Sequence, residues 1–265
     1  LMAVAGRELS DTLDTFEIMA FRSIVGLACV LSVGIALGRL SEVRTSHLGL
    51  HALRNVAHFT GQNLWFYAIA TIPLAQVFAL EFTSPLWVAV LAPLLLGETM
   101  TRARLAAIAL GFIGILIVVR PGVVPLEMGH LTAALSALGF AGSVLATKAL
   151  ARTETVWAIL FWMTLSQSVF GLIFAGFDAD IALPAVADLP WVVVVGLCGL
   201  SAHLCITSAL TLAPATIVAP MDFLRLPLIA IIGMLAYGEA LEVAVFGGAA
   251  LILAANLLNI RASTR

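Results

Sequence analysis

Apolar runs of roughly 18–22 residues recur from one end of the chain to the other, each long enough to cross a ~30 Å hydrocarbon core as a helix. The pattern predicts spans at Phe16–Leu37, Asn55–Ile72, Ala75–Leu96, Leu105–Val119, Gly129–Thr147, Val156–Gly176, Trp191–Leu212, Ala215–Tyr237 and Val243–Ile260. One stretch occurs twice: PLAQVFALEFTSPLWVAVLAPLLLGE at Pro73–Glu98 and PATIVAPMDFLRLPLIAIIGMLAYGE at Pro214–Glu239. Each copy opens on proline, carries an acid eight residues later (Glu81, Asp222) and closes on Gly-Glu. A gap-free offset of 141 superposes the two copies. The same register pairs Ala5 with Ala146, Ile18 with Ile159, Leu110 with Leu251 and Arg120 with Arg261. Single identities between two apolar halves carry little weight. One register held along both halves reads as an internal duplication.

Nine spans is an odd number for a duplication, and the offset accounts for it. Gly129–Thr147 maps to positions running from before residue 1 through Gly6, so only the tail of a first helix, Leu1–Ala5, is expected in this chain. The expected fold is an all-α integral membrane protein: a ten-helix bundle of two inverted five-helix repeats, with the first helix largely missing from this chain. The repeats are expected at residues 1–122 and 128–262. Five is odd, so the second copy must cross the membrane in the opposite sense. Loops after even-numbered helices of the ten are expected to carry Arg39, Arg44, Arg54, Arg102, Arg104, Lys148, Arg152, Arg261 and Arg265. Those after odd-numbered helices carry Arg7 and Arg120. The bias places the even loops and the C-terminus in the cytoplasm, in a bacterial-type inner (plasma) membrane.

Composition agrees with the pattern. The 265 residues are 62% hydrophobic and 11% charged, with a mean hydropathy of +1.12, too little charge to cover a water-soluble surface. A net charge of −2 without a basic cluster argues against a nucleic-acid partner. Cys29, Cys198 and Cys205 all fall in apolar spans and read as small core residues.

The stretch EFTSPLWVAVLAPLLLGE, the segment LGFIGILIVVRPG at Leu110–Gly122, and Tyr237-Gly238-Glu239 closing the matching helix of the second half carry a resemblance. They resemble the drug/metabolite transporter superfamily, specifically its EamA-type members with two five-helix repeats. The resemblance covers the whole chain except the missing first helix. It implies transport of small polar or amphipathic metabolites, often export, driven by an ion or solute gradient. ATP is not implied, and no GxxxxGK[ST] loop occurs. Inverted repeats in secondary transporters place the site at the repeat interface near the midplane. The expected function is therefore secondary transport by alternating access, with export as the first reading, and no enzymatic activity. The alternatives are a channel or facilitative exchanger, or an intramembrane enzyme. A channel would want rings of like charge or a carbonyl filter. An enzyme would need catalytic groups clustered at one depth. The expected partners are a small-molecule substrate, the lipid bilayer and a coupled proton or counter-substrate; no cofactor or metal is expected.

An ionisable group inside the membrane costs at least ~2.5–3.5 kcal/mol on insertion scales, so each one needs a partner or a task. Glu81 and Asp222 lie at matching depths from opposite ends of their spans, Arg225 is three residues beyond Asp222, and Arg22 is level with Glu81. In the functional reading the two acids line a central cavity and one binds a proton or a cationic group, while the arginines meet an anionic group. In the structural reading they form two internal ion pairs, Arg22–Glu81 and Asp222–Arg225. Asn55, His58 and Gln62 recur at i, i+3 and i+7 on one helix face, which the offset maps onto Gly196, Gly199 and His203. This face is a candidate polar wall, with Gln62, His58 and His203 as substrate or proton ligands; helix–helix hydrogen bonding and glycine packing is the alternative. Gln167, Trp65 and Trp162 are candidate substrate contacts, the tryptophans equally interfacial anchors. Pro85, Pro93, Pro220 and Pro227 are expected to bend the duplicated helices, and Glu98 and Glu239 to be exposed caps.

Overall fold

The structure is a computed structural model and describes residues 1–96, 100–120, 125–177, 179–213, 215–218, 225–240 and 242–263. Among these residues the regular elements are helices: α1 (Met2–Leu9), α2 (Thr15–Ala36), α3 (Leu48–Thr71), α4 (Leu74–Glu81), α5 (Ser84–Leu96), α6 (Arg102–Val119), α7 (Met128–Leu150), α8 (Val156–Ala175), α9 (Leu189–Leu212), α10 (Ala215–Val218), α11 (Arg225–Tyr237) and α12 (Val243–Ser263). Among the described residues, seven stretches are long and apolar enough to cross a membrane. The helix α3 is not among them, although its 24 residues reach ~36 Å at 1.5 Å per residue. Its hydropathy is lowered by a stripe of polar side chains on a buried face.

Helix starts are fixed by side chains that take up N–H groups with no partner inside the helix. Asp14 and Glu17 form a reciprocal box at the start of α2, each side chain accepting the other's backbone N–H at 2.8 Å. Thr155, which the 141-residue offset makes the counterpart of Asp14, caps α8 by accepting from the Ala158 N–H. Adding 141 to the bounds of α3 gives those of α9, and adding it to those of α5 gives those of α11.

Two expectations from the apolar pattern change. The span expected to begin at Asn55 starts at Leu48, about two turns earlier, and takes in His51 and Arg54. An apolar window ends where polar residues begin, but the helix does not. The span Ala75–Leu96 is interrupted between α4 and α5, at Phe82 and Thr83. Pro85 has no N–H to give the Glu81 carbonyl, and its ring disfavours helical backbone at Ser84. Carbonyls on either side of Glu81 are taken up locally. The Thr83 hydroxyl donates to Leu80 O at 2.7 Å, and the Leu86 N–H to Thr83 O at 2.9 Å. Of the other prolines, Pro220 lies outside the described residues, as do Gly97 and Glu98.

The chain forms two compact units. One is Leu1–Phe66 with Ala146–Leu212, the other Tyr67–Leu145 with Ala213–Arg265. Each unit therefore draws on both halves of the sequence. In the first, the most extensive helix contact is α2 on α8; in the second it is α6 on α12. Both are a helix packed against its own counterpart under the offset. Without a hydrophobic drive between helices in lipid, close approach rests on small residues. A Cβ on Gly171 of α8 would stand 2.6 Å from the Ala20 Cα of α2. In the second unit, Gly114 and Gly248 face each other. A Cβ on either would lie 2.8 or 2.7 Å from the carbonyl oxygen of the other.

That contact generates a test. Gly248→Leu is expected to lower the thermal midpoint of the detergent-solubilised chain, by about 1–3 kcal/mol of stability as for other overpacked contacts. Gly247→Ala, which meets nothing within 4 Å, is expected to stay within about 0.5 kcal/mol of the parent. Equal midpoints for Gly248→Leu and the parent would refute the close approach of α6 and α12.

Candidate functional site

The first unit gathers most of the polar residues singled out in the sequence. Asn55, His58 and Gln62 of α3 are buried on one face, as the i, i+3, i+7 spacing requires. The offset equivalents on α9 divide by role. A Cβ on Gly196 would stand 2.6 Å from Val25 Cγ1, and one on Gly199 would overlap the Arg22 guanidinium. These two glycines make room for α2. One turn beyond Gly199, the half-buried His203 meets the His58 ring edge-on, with centroids 4.5 Å apart.

Asn55 is held on every side. Its amide donates to Trp162 O at 3.0 Å and Ser166 Oγ at 3.1 Å, and its side-chain oxygen accepts from Arg54 Nη1 at 2.9 Å. Gln167 Nε2 donates to Asn55 O at 2.9 Å. At about 1 kcal/mol per net hydrogen bond, this set fixes α3 to α8, and Asn55 is structural. Trp162 is an anchor too: its indole N–H donates to Val43 O at 2.9 Å in the connection before α3. Trp65 is buried against Phe66.

Arg54 corrects an expectation. Counted from the sequence as a cytoplasmic loop cation, it is 2% exposed inside α3, with its Nε donating to Thr147 Oγ1 at 3.2 Å. The signal was available. His51, Arg54, Asn55, His58 and Gln62 continue one helical stripe towards the N-terminus, but the apolar window stopped at Asn55. Arg22 is 6% exposed in α2; its Nη1 reaches only the Met19 sulfur, at 3.6 Å, and its Nε has no hydrogen-bond partner. Neither arginine has an ion pair among the described residues, so the ion-pair reading of Arg22 finds no support. Beside Arg22 lies a small cavity, lined also by Ser23, Thr164, Gln167 and Gly196. The Gln167 Oε1 is buried there without a hydrogen-bond partner.

The remaining candidates lie elsewhere. Glu81 is half-buried in the second unit, the last residue of α4 at the proline break. Asp222 lies outside the described residues, and Arg225 is described only as the first residue of α11. Glu239, expected to be an exposed cap, is half-buried. Its carboxylate accepts the Leu74 N–H at 2.9 and 3.1 Å and so caps α4, a helix of the other sequence half. Sequence reasoning missed a network nearby. His130 Nε2 lies 2.8 Å from Gln76 Oε1, Gln76 Nε2 donates to Glu242, and Glu242 pairs with Arg120.

The comparisons agree with this architecture. The model of the EamA-like transporter family matches residues 1–120 and 127–261. A riboflavin transporter of Brucella anthropi is 34% identical over 83% of this chain and 78% of its own length. One of Rhizobium johnstonii is 35% identical over 85% and 74%. An S-adenosylmethionine uptake transporter of Rickettsia bellii is 25% identical over 97% and 87%. A crystal structure with 18% identity superposes with a TM-score of 0.68 over 100% of this chain and 95% of that one, a likeness of fold alone. The chain belongs to the EamA-like transporter family: it is an integral membrane protein and a secondary transporter, not an enzyme.

Proposed function

We propose that this protein carries a small polar or amphipathic metabolite across a bacterial-type inner membrane by alternating access, with its C-terminus in the cytoplasm. One observation carries the reading: in a chain otherwise built for lipid, buried Arg22 and Gln167 line a cavity, and the same unit holds the buried His58 and Gln62 and the half-buried His203. Residues 1–122 and 128–262 are the two five-helix repeats in this reading, related by inversion. A duplicated helix with an acid near a proline break (Glu81, and by equivalence Asp222) suits a carrier, because a broken helix can re-pair its backbone in two arrangements. Those acids are the proposed proton or cation ligands, with Arg225 beside Asp222.

For the substrate, the relatives at 34% and 35% identity, named as riboflavin transporters, favour a heteroaromatic ring with a polar tail. Export is the first reading for direction, as the superfamily resemblance implies. Uptake is the second, favoured by the name of the Rickettsia bellii relative.

Reconstituted in liposomes, the protein is expected to give saturable flux of riboflavin or of S-adenosylmethionine, responsive to an imposed pH gradient. Loading the solute inside or outside reads the direction. Saturable flux indifferent to the gradient would turn the reading to exchange or facilitated diffusion, and no flux from folded protein would refute it. Glu81→Gln and Asp222→Asn are each expected to cut gradient-driven flux about a hundredfold or more, the range in which positioned acid–base groups contribute, while the folded yield holds. Unchanged flux in both would assign the acids to structure.

A further inference from the structure

Among the described residues, the first unit holds two buried guanidiniums, Arg22 and Arg54, and no buried carboxylate placed to answer them. Its buried Glu17 is spent on backbone, accepting the Asp14 N–H at 2.8 Å and the Ala182 N–H at 2.5 Å. Glu154 accepts from Thr45 and faces His47 Nδ1 at 3.2 Å. Arg22 and Arg54 are nevertheless linked, through one cavity and then two hydrogen bonds. Arg22 shares a cavity with Gln167, Gln167 donates to Asn55 O, and Asn55 accepts from Arg54. Arg22 Nε and Gln167 Oε1 are both buried polar atoms without a partner beside that cavity. The cavity has room for about one water-sized group, enough for one oxygen of an anion and not for a whole metabolite.

We propose that this site receives the anionic end, a carboxylate or phosphate, of the transported solute. The inference rests on the transport reading above and narrows it to solutes with an anionic end, which S-adenosylmethionine has and riboflavin lacks. Arg22 makes the direct contact, its planar fork matching two oxygens of the anion. Gln167 Oε1 accepts from a hydroxyl on the same group, so a monoprotonated phosphate or a hydroxy-flanked carboxylate satisfies both orphaned atoms. Arg54, tied to Thr147 and Asn55, adds positive charge from one layer behind and is a positioning residue. Gly199 sets the fit, because only a residue without a side chain lets the Arg22 guanidinium lie against α9. The solute, not a lipid headgroup, is the source: Arg22 is seven residues into α2, ~10 Å along its axis.

The test compares ligand pairs that differ only in the anion, riboflavin with riboflavin 5′-phosphate and adenosine with adenosine 5′-monophosphate. Binding is read as thermal stabilisation of the whole chain in neutral detergent. The phosphorylated member is expected to bind about tenfold or more tightly than its parent, as a charge-assisted bidentate contact provides. Arg22→Gln is expected to reduce that preference to less than about threefold, and Gly199→Ala, which keeps the charge but displaces the guanidinium, to weaken it. Should Arg22→Gln fail to fold, the preference of the parent protein still decides. Equal affinities within both pairs would overturn the proposal, as would a preference undiminished in Arg22→Gln. Loss of the preference on adding phosphatidylglycerol would overturn it too, by assigning the site to lipid. Retained preference together with no flux in liposomes would sink the transport reading and leave the anion site standing.

Discussion

A polar group set in hydrocarbon must find its partner inside the protein, and that requirement accounts for most of what distinguishes these helices from plain apolar rods. Beside the Pro85 break, the Thr83 hydroxyl returns to Leu80 O. Where α4 begins with unpaired N–H groups, the Glu239 carboxylate arrives from a distant segment to accept one. Lys148 donates to Leu210 O near the end of α9, where the helix dipole and unpaired carbonyls favour a cation. Asn55 meets the same demand with three bonds at once. Against that background Arg22 is one of the departures, a buried cation whose donors are only partly taken up.

Packing and chemistry are joined through glycine. The duplicated helices α3 and α9 share bounds under the offset, yet the equivalent positions do different work. Asn55 and His58 on α3 correspond to Gly196 and Gly199 on α9. One copy supplies polar side chains. The other supplies the absence of side chains that lets α2 and its Arg22 come close. Duplication thus delivered two similar helices, and divergence made one of them a wall and the other a recess.

Much of the fold was legible because the membrane writes it in composition. Runs of apolar residues marked the spans, and the 141-residue register anticipated helix bounds that recur in pairs. The start of α3 was not legible, because a window that scores apolarity cannot see a helix whose next residues are polar but buried; Arg54 was counted as a loop cation for that reason. The stripe Asn55, His58, Gln62 was correctly placed on one face, but its division of labour was not. Asn55 ties helices together while Gln167, on α8, borders the cavity. The capping role of Glu239 depends on Leu74, 165 residues away in sequence, and no local pattern contains it. Asp222 and the Arg225 side chain remain readings from sequence.

The cation cluster can be weighed as a matter of stability. Replacing buried charges with apolar groups of similar volume is often neutral or stabilising, whereas a charge without its counter-charge is a cost. Arg22, which unlike Arg54 has no hydrogen bond to another helix among the described residues, is therefore a poor candidate for holding the first unit together. The helices there already have the means to do so, in the Gly171 contact of α2 with α8 and the Asn55 bonds of α3 with α8. Subtracting those leaves the guanidinium of Arg22 with little structural purpose beyond a thioether contact at 3.6 Å. A site that loses stability to keep a donor facing a cavity fits the usual trade between stability and function. It also fits a carrier, in which the solute that supplies the missing charge must afterwards be released.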